Sequence, residues 1–198
     1  MGNRAFLYPE TAKPGQRVLG VYLHWNGGPD SVIPLIRYCK MKKYRPFSDG
    51  YGVARLAQVM GNFFNGTTSL GVEFEKPECV DTNHTPYCIT DNWEIKNIND
   101  YKDDDWPDEK HIREFLIELN NSQPKEDRLP ESFMFEDRPD PATVKPGSKI
   151  IWHDEIWHKF KKATVYLNAS GKPAIRRYGN WKNNINCELE QTDFRLIK

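Results

Sequence analysis

Four polar side chains could together carry out acid–base chemistry on a phosphodiester. His24 lies near the end of residues 16–25, whose alternating character predicts a strand before an Asn-Gly-Gly turn. Tyr51, Arg55 and Asn62 are spaced four and seven residues apart in a predicted helix, roughly on one face. In metal-independent RNA cleavage the 2′-hydroxyl is the internal nucleophile, so the protein need only move protons and stabilise charge. We therefore predict His24 as general acid or base, Arg55 as the charge-stabilising group, and Tyr51 and Asn62 as positioning residues.

The turn after His24 adds a candidate anion site. Gly27 and Gly28 open onto a predicted helix N-terminus, where free backbone N–H groups and the helix dipole favour an anion such as phosphate. A structural interpretation of the same region stays open beside the catalytic one. In that interpretation His24 hydrogen-bonds to the turn from a half-buried strand face, and Arg55 pairs with a nearby aspartate.

Basic residues interleaved with aromatic residues form a second candidate site. A surface for single-stranded nucleic acid needs cations for the phosphates and flat rings for the bases. The alternative is that the tryptophans build the core of a small module and the lysines coat it. The predicted nucleic-acid-binding residues are Lys42, Lys43, Arg45, Trp157, Lys159, Lys161, Lys162, Arg176, Arg177, Trp181 and Lys182.

We predict no metal site and no cofactor. Cys79, Asp81, His84 and Cys88 are of ligand type and fall within ten residues, but their spacing matches no common zinc finger. The prolines around them favour a structural loop, and metal binding by Cys79, His84 and Cys88 stays the alternative. None of the four cysteines of the chain forms a C-x-x-C pair, so we expect buried thiols rather than disulfides.

The composition indicates a folded, cytoplasmic protein. Aromatic residues make up 13% of the 198 residues, far more than a disordered chain carries. No apolar run approaches the length of a membrane span, and the N-terminal residues lack the apolar stretch of a signal peptide. We therefore expect no contact with a membrane.

The net charge of zero conceals a strong pattern along the chain. Residues 1–72 carry a net charge of +6, residues 73–145 carry −11 and residues 146–198 carry +5. The basic ends could contact phosphate groups, and the acidic middle could contact a basic partner or limit non-specific binding to nucleic acid. A solvated charged surface with a neutral average is the alternative.

The periodicity of the apolar residues predicts an α+β fold. Helices are expected over residues 31–41, 49–64 and 107–121, and strands over residues 16–25, 69–74, 86–90, 93–98, 149–152, 163–167 and 174–177. The predicted architecture is a small, mostly antiparallel sheet with three helices, followed by a small β-rich module. The predicted boundaries are an N-terminal domain at 1–121, a proline-rich linker or wrap at 122–147, and a basic and aromatic module at 148–198.

Two segments carry a resemblance to known proteins. Residues 21–31 read Val-Tyr-Leu-His-Trp-Asn-Gly-Gly-Pro-Asp-Ser, and residues 51–64 read Tyr-Gly-Val-Ala-Arg-Leu-Ala-Gln-Val-Met-Gly-Asn-Phe-Phe. Together they resemble a widespread family of uncharacterised phage, plasmid and integrative-element proteins, over roughly residues 1–98. Such N-terminal modules are also similar to those of anti-CRISPR proteins that act on type II effectors, some of which reduce or trim the guide RNA. The resemblance implies antagonism of host defence inside the bacterial cell, with the type II effector or its guide RNA as partner.

Two function hypotheses follow. In the first, the protein is an anti-CRISPR inhibitor with ribonuclease activity that depends on His24 and Arg55. In the second, it is a non-catalytic inhibitor that blocks a protein or nucleic-acid site by occlusion. A structural or regulatory phage protein is a third alternative, and the sequence leaves the oligomeric state open.

Overall fold

Short apolar segments of the N-terminal half pair into a four-stranded sheet. A computed structural model describes residues 3–65, 69–83, 86–97, 107–154, 159–178 and 184–197, and the chain divides into two units, residues 1–128 and 129–198. The strands of the first unit are β1 (Ala5–Pro9), β2 (Val18–Leu23), β3 (Leu70–Glu75) and β4 (Tyr87–Ile89), in the order β3-β2-β1-β4. Only the pairing of β4 with β1 is parallel among these neighbours. The sheet is therefore mostly antiparallel, as predicted.

Three α-helices lie in the described part of the first unit. They are α1 (Pro29–Met41), α2 (Gly50–Phe64) and α3 (Glu109–Ser122). The Asp49 side chain caps α2 by accepting a hydrogen bond from a backbone N–H of its first turn, and Asn65 ends the helix in the left-handed conformation. The mixture of helices and strands confirms the α+β prediction. None of the helices in the described ranges has the length and apolar composition that a membrane span requires.

The core of the first unit lies between the helices and one face of the sheet. Leu7 and Val21 are register partners, and Val21 and Leu23 are two residues apart, so all three side chains point to the same face. All three are fully buried. Leu70, the register partner of Leu23, lies beside Gly61 of α2. Helix α2 therefore crosses this face with its C-terminal half near the start of β3.

The strand predicted for residues 93–98 is not formed by residues 93–97, and residue 98 lies outside the described ranges. Trp93 has a φ of 59°, in the left-handed region that a strand cannot contain. Ile95 makes only a single bridge to Ile89 of β4. In contrast, β1 forms although we predict no strand for residues 5–9.

The second unit is rich in strands, as predicted. One three-stranded sheet has the order β10-β5-β6 and another has the order β7-β8-β9. Their buried faces share a core that includes Ile150, Trp152, Val165, Ile175 and Phe194. The elements are α4 (Glu131–Phe135), β5 (Lys149–Asp154), β6 (Lys159–Thr164), β7 (Tyr166–Leu167), β8 (Pro173–Tyr178), β9 (Asn184–Glu188) and β10 (Phe194–Leu196).

The proline-rich residues 122–147, for which we predict a linker or a wrap, are divided between the two units. The first unit extends to residue 128, beyond the predicted boundary at 121, and residues 129–147 belong to the second unit. Phe133, Met134 and Val144 are buried there, and Val144 joins the core of the strands. These apolar residues give the stretch a packed interior, which the prolines in its sequence do not predict.

Two glycines of α2 are expected to respond oppositely to replacement by alanine. A Cβ at Gly52 would lie 2.1 Å from the carbonyl oxygen of Pro46, whereas a Cβ at Gly61 would have its nearest neighbour, a Leu70 methyl group, at 4.0 Å. Gly52→Ala should therefore lower the free energy of unfolding by about 3 kcal/mol through overpacking. Gly61→Ala should raise it by about 0.5–1 kcal/mol through helix propensity. Urea unfolding followed by circular dichroism measures both, and equal effects would contradict the backbone contact at Gly52.

Candidate functional site

Within the described residues, no hydrogen bond or ring contact joins His24 to Tyr51, Arg55 or Asn62. His24 follows β2, and its backbone N–H donates to Ser69 just before β3. This end of the sheet lies near Gly61, beside Leu70. Tyr51 lies ten residues before Gly61, about 15 Å away along the helix at a rise of 1.5 Å per residue. His24 and Tyr51 therefore lie toward opposite ends of α2, an arrangement that disfavours joint action on one phosphodiester.

The three helix residues have partners of their own. These partners are Arg45 for Tyr51, Gln58 for Arg55 and Gln123 for Asn62. The Asn62 Nδ2 donates to Gln123 Oε1 at 2.9 Å, and the Gln123 amide in turn donates to backbone carbonyls of α2 and α3. Gln123 is buried, so Asn62 belongs to a polar network that joins two helices. The geometry supports a structural role for Asn62.

Groups of the chain itself already occupy part of the helix start after the Gly-Gly turn. The Gly27 N–H donates to the Asn3 carbonyl, and the Ser31 N–H donates to the Asp30 carboxylate at 2.9 Å. Asp30 therefore places a negative charge where we predict a phosphate. Because like charges repel, this helix N-terminus does not favour an anion.

The basic turn between α1 and α2 contributes less positive surface than predicted. Lys42 is buried, and its ammonium donates to the backbone carbonyl of Asp127. Burial lowers the pKa of Lys42 below its ordinary value. Arg45 pairs with Asp49 and lies over the Tyr51 ring. The Lys43 side chain is exposed.

The predicted nucleic-acid surface of the second unit is described only in part. Lys161 pairs at 2.7 Å with the fully buried Asp154, and the Arg176 guanidinium lies 5.3 Å from the centre of the Tyr166 ring. Lys162 is exposed. Lys159 and Arg177 lie on β6 and β8, and only their backbone is described. Trp157, Trp181 and Lys182 lie outside the described residues.

The cysteine-rich loop shows no metal-binding geometry in its described part. Asp81 pairs with Arg4, Cys79 is exposed, and Cys88 is buried on β4. His84 lies outside the described residues. Across the ranges that the structure describes, no group of three or more His, Cys, Asp or Glu side chains could hold a metal ion.

The described thiols should differ widely in reactivity. Burial raises the pKa of the Cys39 and Cys88 thiols above the ordinary value, whereas Cys79 is exposed. A maleimide at pH 8 is therefore expected to label Cys79 at least about 100-fold faster than Cys39 in the folded protein. Peptide mapping measures the rates, and Cys79→Ser should remove the fast phase. Fast labelling of Cys39 would contradict its burial.

The exposed edge of the N-terminal sheet is a candidate site that our sequence analysis missed. In an antiparallel pair of strands, hydrogen-bonded and non-hydrogen-bonded residue pairs alternate. The His24 N–H donates to the Ser69 carbonyl, so the next register pair, Leu23 and Leu70, is not hydrogen-bonded, and every second pair after it is not either. The N–H and C=O groups of Leu70, Val72 and Phe74 therefore point away from β2. At the opposite edge, formed by β4, the backbone N–H of Lys96 donates to the Cys88 carbonyl at 2.8 Å. The chain itself therefore covers that edge.

Apolar side chains line one face of this edge. Leu19 and Phe74 are register partners, and Val72 is two residues from Phe74, so all three share a face. They are 39%, 58% and 53% exposed, respectively. Adjacent exposed apolar side chains of this kind mark interaction sites more often than isolated ones do.

Carboxylates line the other face of the same strand. Glu73 and Glu75 alternate with the apolar residues, and Glu75 pairs with Arg17 at 3.3 Å. Within the described ranges, no hydrogen bond or ion pair reaches the Glu73 carboxylate. The alternation of Val and Phe with Glu in residues 70–75 is the sequence signal that could have identified this site. We call Leu19 and residues 70–75 the β3 edge.

Comparisons of this chain with models of protein families, with curated proteins and with solved structures give no match.

Proposed function

We propose that this protein is an anti-defence protein of a mobile element, an anti-CRISPR inhibitor that binds and occludes its target without cleaving RNA. The target class comes from the resemblance of residues 21–31 and 51–64 to mobile-element proteins, and it is a type II effector carrying its guide RNA. The protein would act in the cytoplasm of the bacterial host.

The observation that carries the binding mode is the β3 edge, which pairs on its outer side with no other strand in the described ranges. Its outward N–H and C=O groups can pair with an added strand, and the exposed Val72 and Phe74 side chains can be buried by that strand. Proteins usually shield such an edge with charge, proline or a covering segment, because it otherwise pairs with other chains. A six-residue edge strand with two large exposed apolar side chains therefore favours a binding function.

The separation of the predicted catalytic residues favours binding over cleavage. General acid–base catalysis needs the acting groups within hydrogen-bond reach of the same phosphodiester. Tyr51 lies about 15 Å along α2 from Gly61, near which the His24 end of the sheet lies, and Asn62 bonds to the buried Gln123. His24 instead packs edge-on against Trp25, with ring centres 5.2 Å apart.

A DNA-cleavage assay combined with a denaturing RNA gel tests this function. The purified protein is mixed with a type II effector and labelled guide RNA, with and without EDTA. We expect DNA cleavage to fall while the guide RNA stays intact in every lane. His24→Ala should inhibit as well as the wild-type chain.

Other results would contradict the proposal. Discrete shortened RNA that survives EDTA and disappears with His24→Ala would identify the ribonuclease instead. Undiminished DNA cleavage, with no effect of the protein at any concentration, would exclude this target class.

A further inference from the structure

Arg17 shows which kind of chemical group the β3 edge can bind. The Nε and Nη2 atoms of Arg17 donate to the outward carbonyl of Phe74 at 3.1 and 2.7 Å. The same guanidinium lies 5.2 Å from the centre of the Phe74 ring and 3.3 Å from a carboxylate oxygen of Glu75. The edge thus offers a carbonyl, a ring and a carboxylate to a single guanidinium.

The contact of Arg17 is at the surface and can be exchanged. The Arg17 side chain is 55% exposed and that of Glu75 is 38% exposed. Ion pairs with this exposure contribute little to stability, because water and salt screen them. A guanidinium from another chain could replace Arg17 at a small cost.

We propose that the β3 edge binds an extended basic segment of a partner protein, and that an arginine of this segment displaces Arg17. This inference rests on the proposed binding function and names the chemistry of the partner. Side chains of an added strand alternate between the two faces of the sheet. Apolar residues would cover Val72 and Phe74, and basic residues on the other face would meet Glu73 and Glu75. The segment therefore alternates apolar and basic residues.

The charges of the edge disfavour two other occupants. A second copy of this chain would pair β3 with β3 and bring four glutamates onto one face, and the strand itself holds no basic residue to balance them. A nucleic acid would bring phosphates toward Glu73, whose carboxylate meets no cation in the described ranges. A basic peptide segment neutralises these carboxylates.

A synthetic peptide tests the inference directly. The probe is an amide-capped heptapeptide that alternates valine and arginine, and the matched control carries glutamate in place of arginine. Both are titrated into the ¹⁵N-labelled full chain and followed by NMR. We expect the arginine peptide to shift the amides of Leu70, Val72 and Phe74, to slow their hydrogen exchange, and to bind at least about tenfold tighter than the glutamate peptide.

Two variants of the edge sharpen this test. Arg17→Ala removes the competing guanidinium and should bind the arginine peptide about threefold to tenfold tighter. Glu73→Gln removes a carboxylate that the described fold does not use, so it should keep the thermal stability and bind the same peptide about threefold to tenfold weaker.

The outcomes separate this inference from the proposed function. Equal affinity for the two peptides, shifts confined to other residues, or weaker binding by a folded Arg17→Ala would overturn it, even where the protein still inhibits a type II effector. A concentration-dependent dimer that involves the amides of β3 would also overturn it. If the arginine peptide binds as expected but the protein has no effect on a type II effector, the inference is supported and a type II effector is excluded as the target.

Discussion

Val72→Pro is expected to weaken inhibition of the target by at least about 100-fold while the N-terminal unit stays folded. The phase of the β2–β3 pairing, set by the bond from His24 to Ser69, points the N–H of Val72 away from β2. Proline at this position therefore removes no hydrogen bond within the sheet. It removes a donor that an added strand needs, and its ring blocks the approach of that strand.

The neighbouring position supplies the matched control. The N–H of Glu73 points toward β2, so Glu73→Pro should break the ladder and lower the free energy of unfolding by about 2–3 kcal/mol. Urea unfolding by circular dichroism compares the two variants, and the DNA-cleavage assay measures inhibition. Full inhibition by Val72→Pro would show that the β3 edge is not the binding surface.

A second edge variant tests whether Val72→Pro weakens inhibition only because proline distorts the strand locally. Val72→Lys keeps the backbone donor but places a charge among the apolar side chains of Leu19 and Phe74, where an added strand would bury it. It should also weaken inhibition, by about tenfold or more, with an unchanged unfolding midpoint. If both variants unfold like the wild-type chain and inhibit fully, the binding mode is wrong.

Helix α2 shows how much of the fold local sequence can predict. Its apolar residues recur at helical spacing, and Asp49 and Asn65 supply the signals for its start and end. The expected range, 49–64, agrees with Gly50–Phe64. Periodicity and capping act within a few residues, so they are visible without knowledge of the tertiary structure.

The order of the strands is not local, and here the sequence was less informative. Residues 5–9 read Ala-Phe-Leu-Tyr-Pro without alternation, and four of the five are buried because β1 lies inside the sheet. Residues 69–74 predict a strand, and β3 confirms it, but nothing in them says that this strand lies at an edge. Only the pairing with β2 shows which backbone groups remain open.

The same distinction between local and non-local structure explains why the arrangement of the candidate catalytic residues could not be predicted. Spacing correctly describes which residues share a face of an isolated helix, but the distance from His24 to Tyr51 depends on how α2 crosses the sheet. Likewise, the sequence shows that Lys42 lies in a basic turn but not that it is buried. Its ammonium bonds to the carbonyl of Asp127, which is 85 residues away along the chain.

Trp93→Ala is expected to lower the free energy of unfolding of the first unit by about 4 kcal/mol. Trp93 is 3% exposed, and its ring centre lies 5.5 Å from that of the fully buried Phe47. Its indole N–H is shared between the backbone carbonyls of Tyr44 and Arg45, at 3.2 and 3.1 Å. The residue thus fixes the loop between α1 and α2 to the segment that follows β4. A loss of this size is a large part of the stability of a typical domain.

Two further variants separate packing from hydrogen bonding at this position. Trp93→Phe keeps a ring but leaves both carbonyls without this donor, so it should cost about 1–3 kcal/mol. Trp25→Ala is the matched control, because Trp25 is 44% exposed, and it should change the stability by less than about 1 kcal/mol. Urea unfolding by far-ultraviolet circular dichroism compares the variants without relying on tryptophan fluorescence. A φ of 59° is unfavourable for a bulky residue such as Trp93, and the burial of the ring and its hydrogen bonds offset this cost. Similar stabilities for Trp93→Ala and Trp25→Ala would contradict the packing of Trp93 against the loop between α1 and α2.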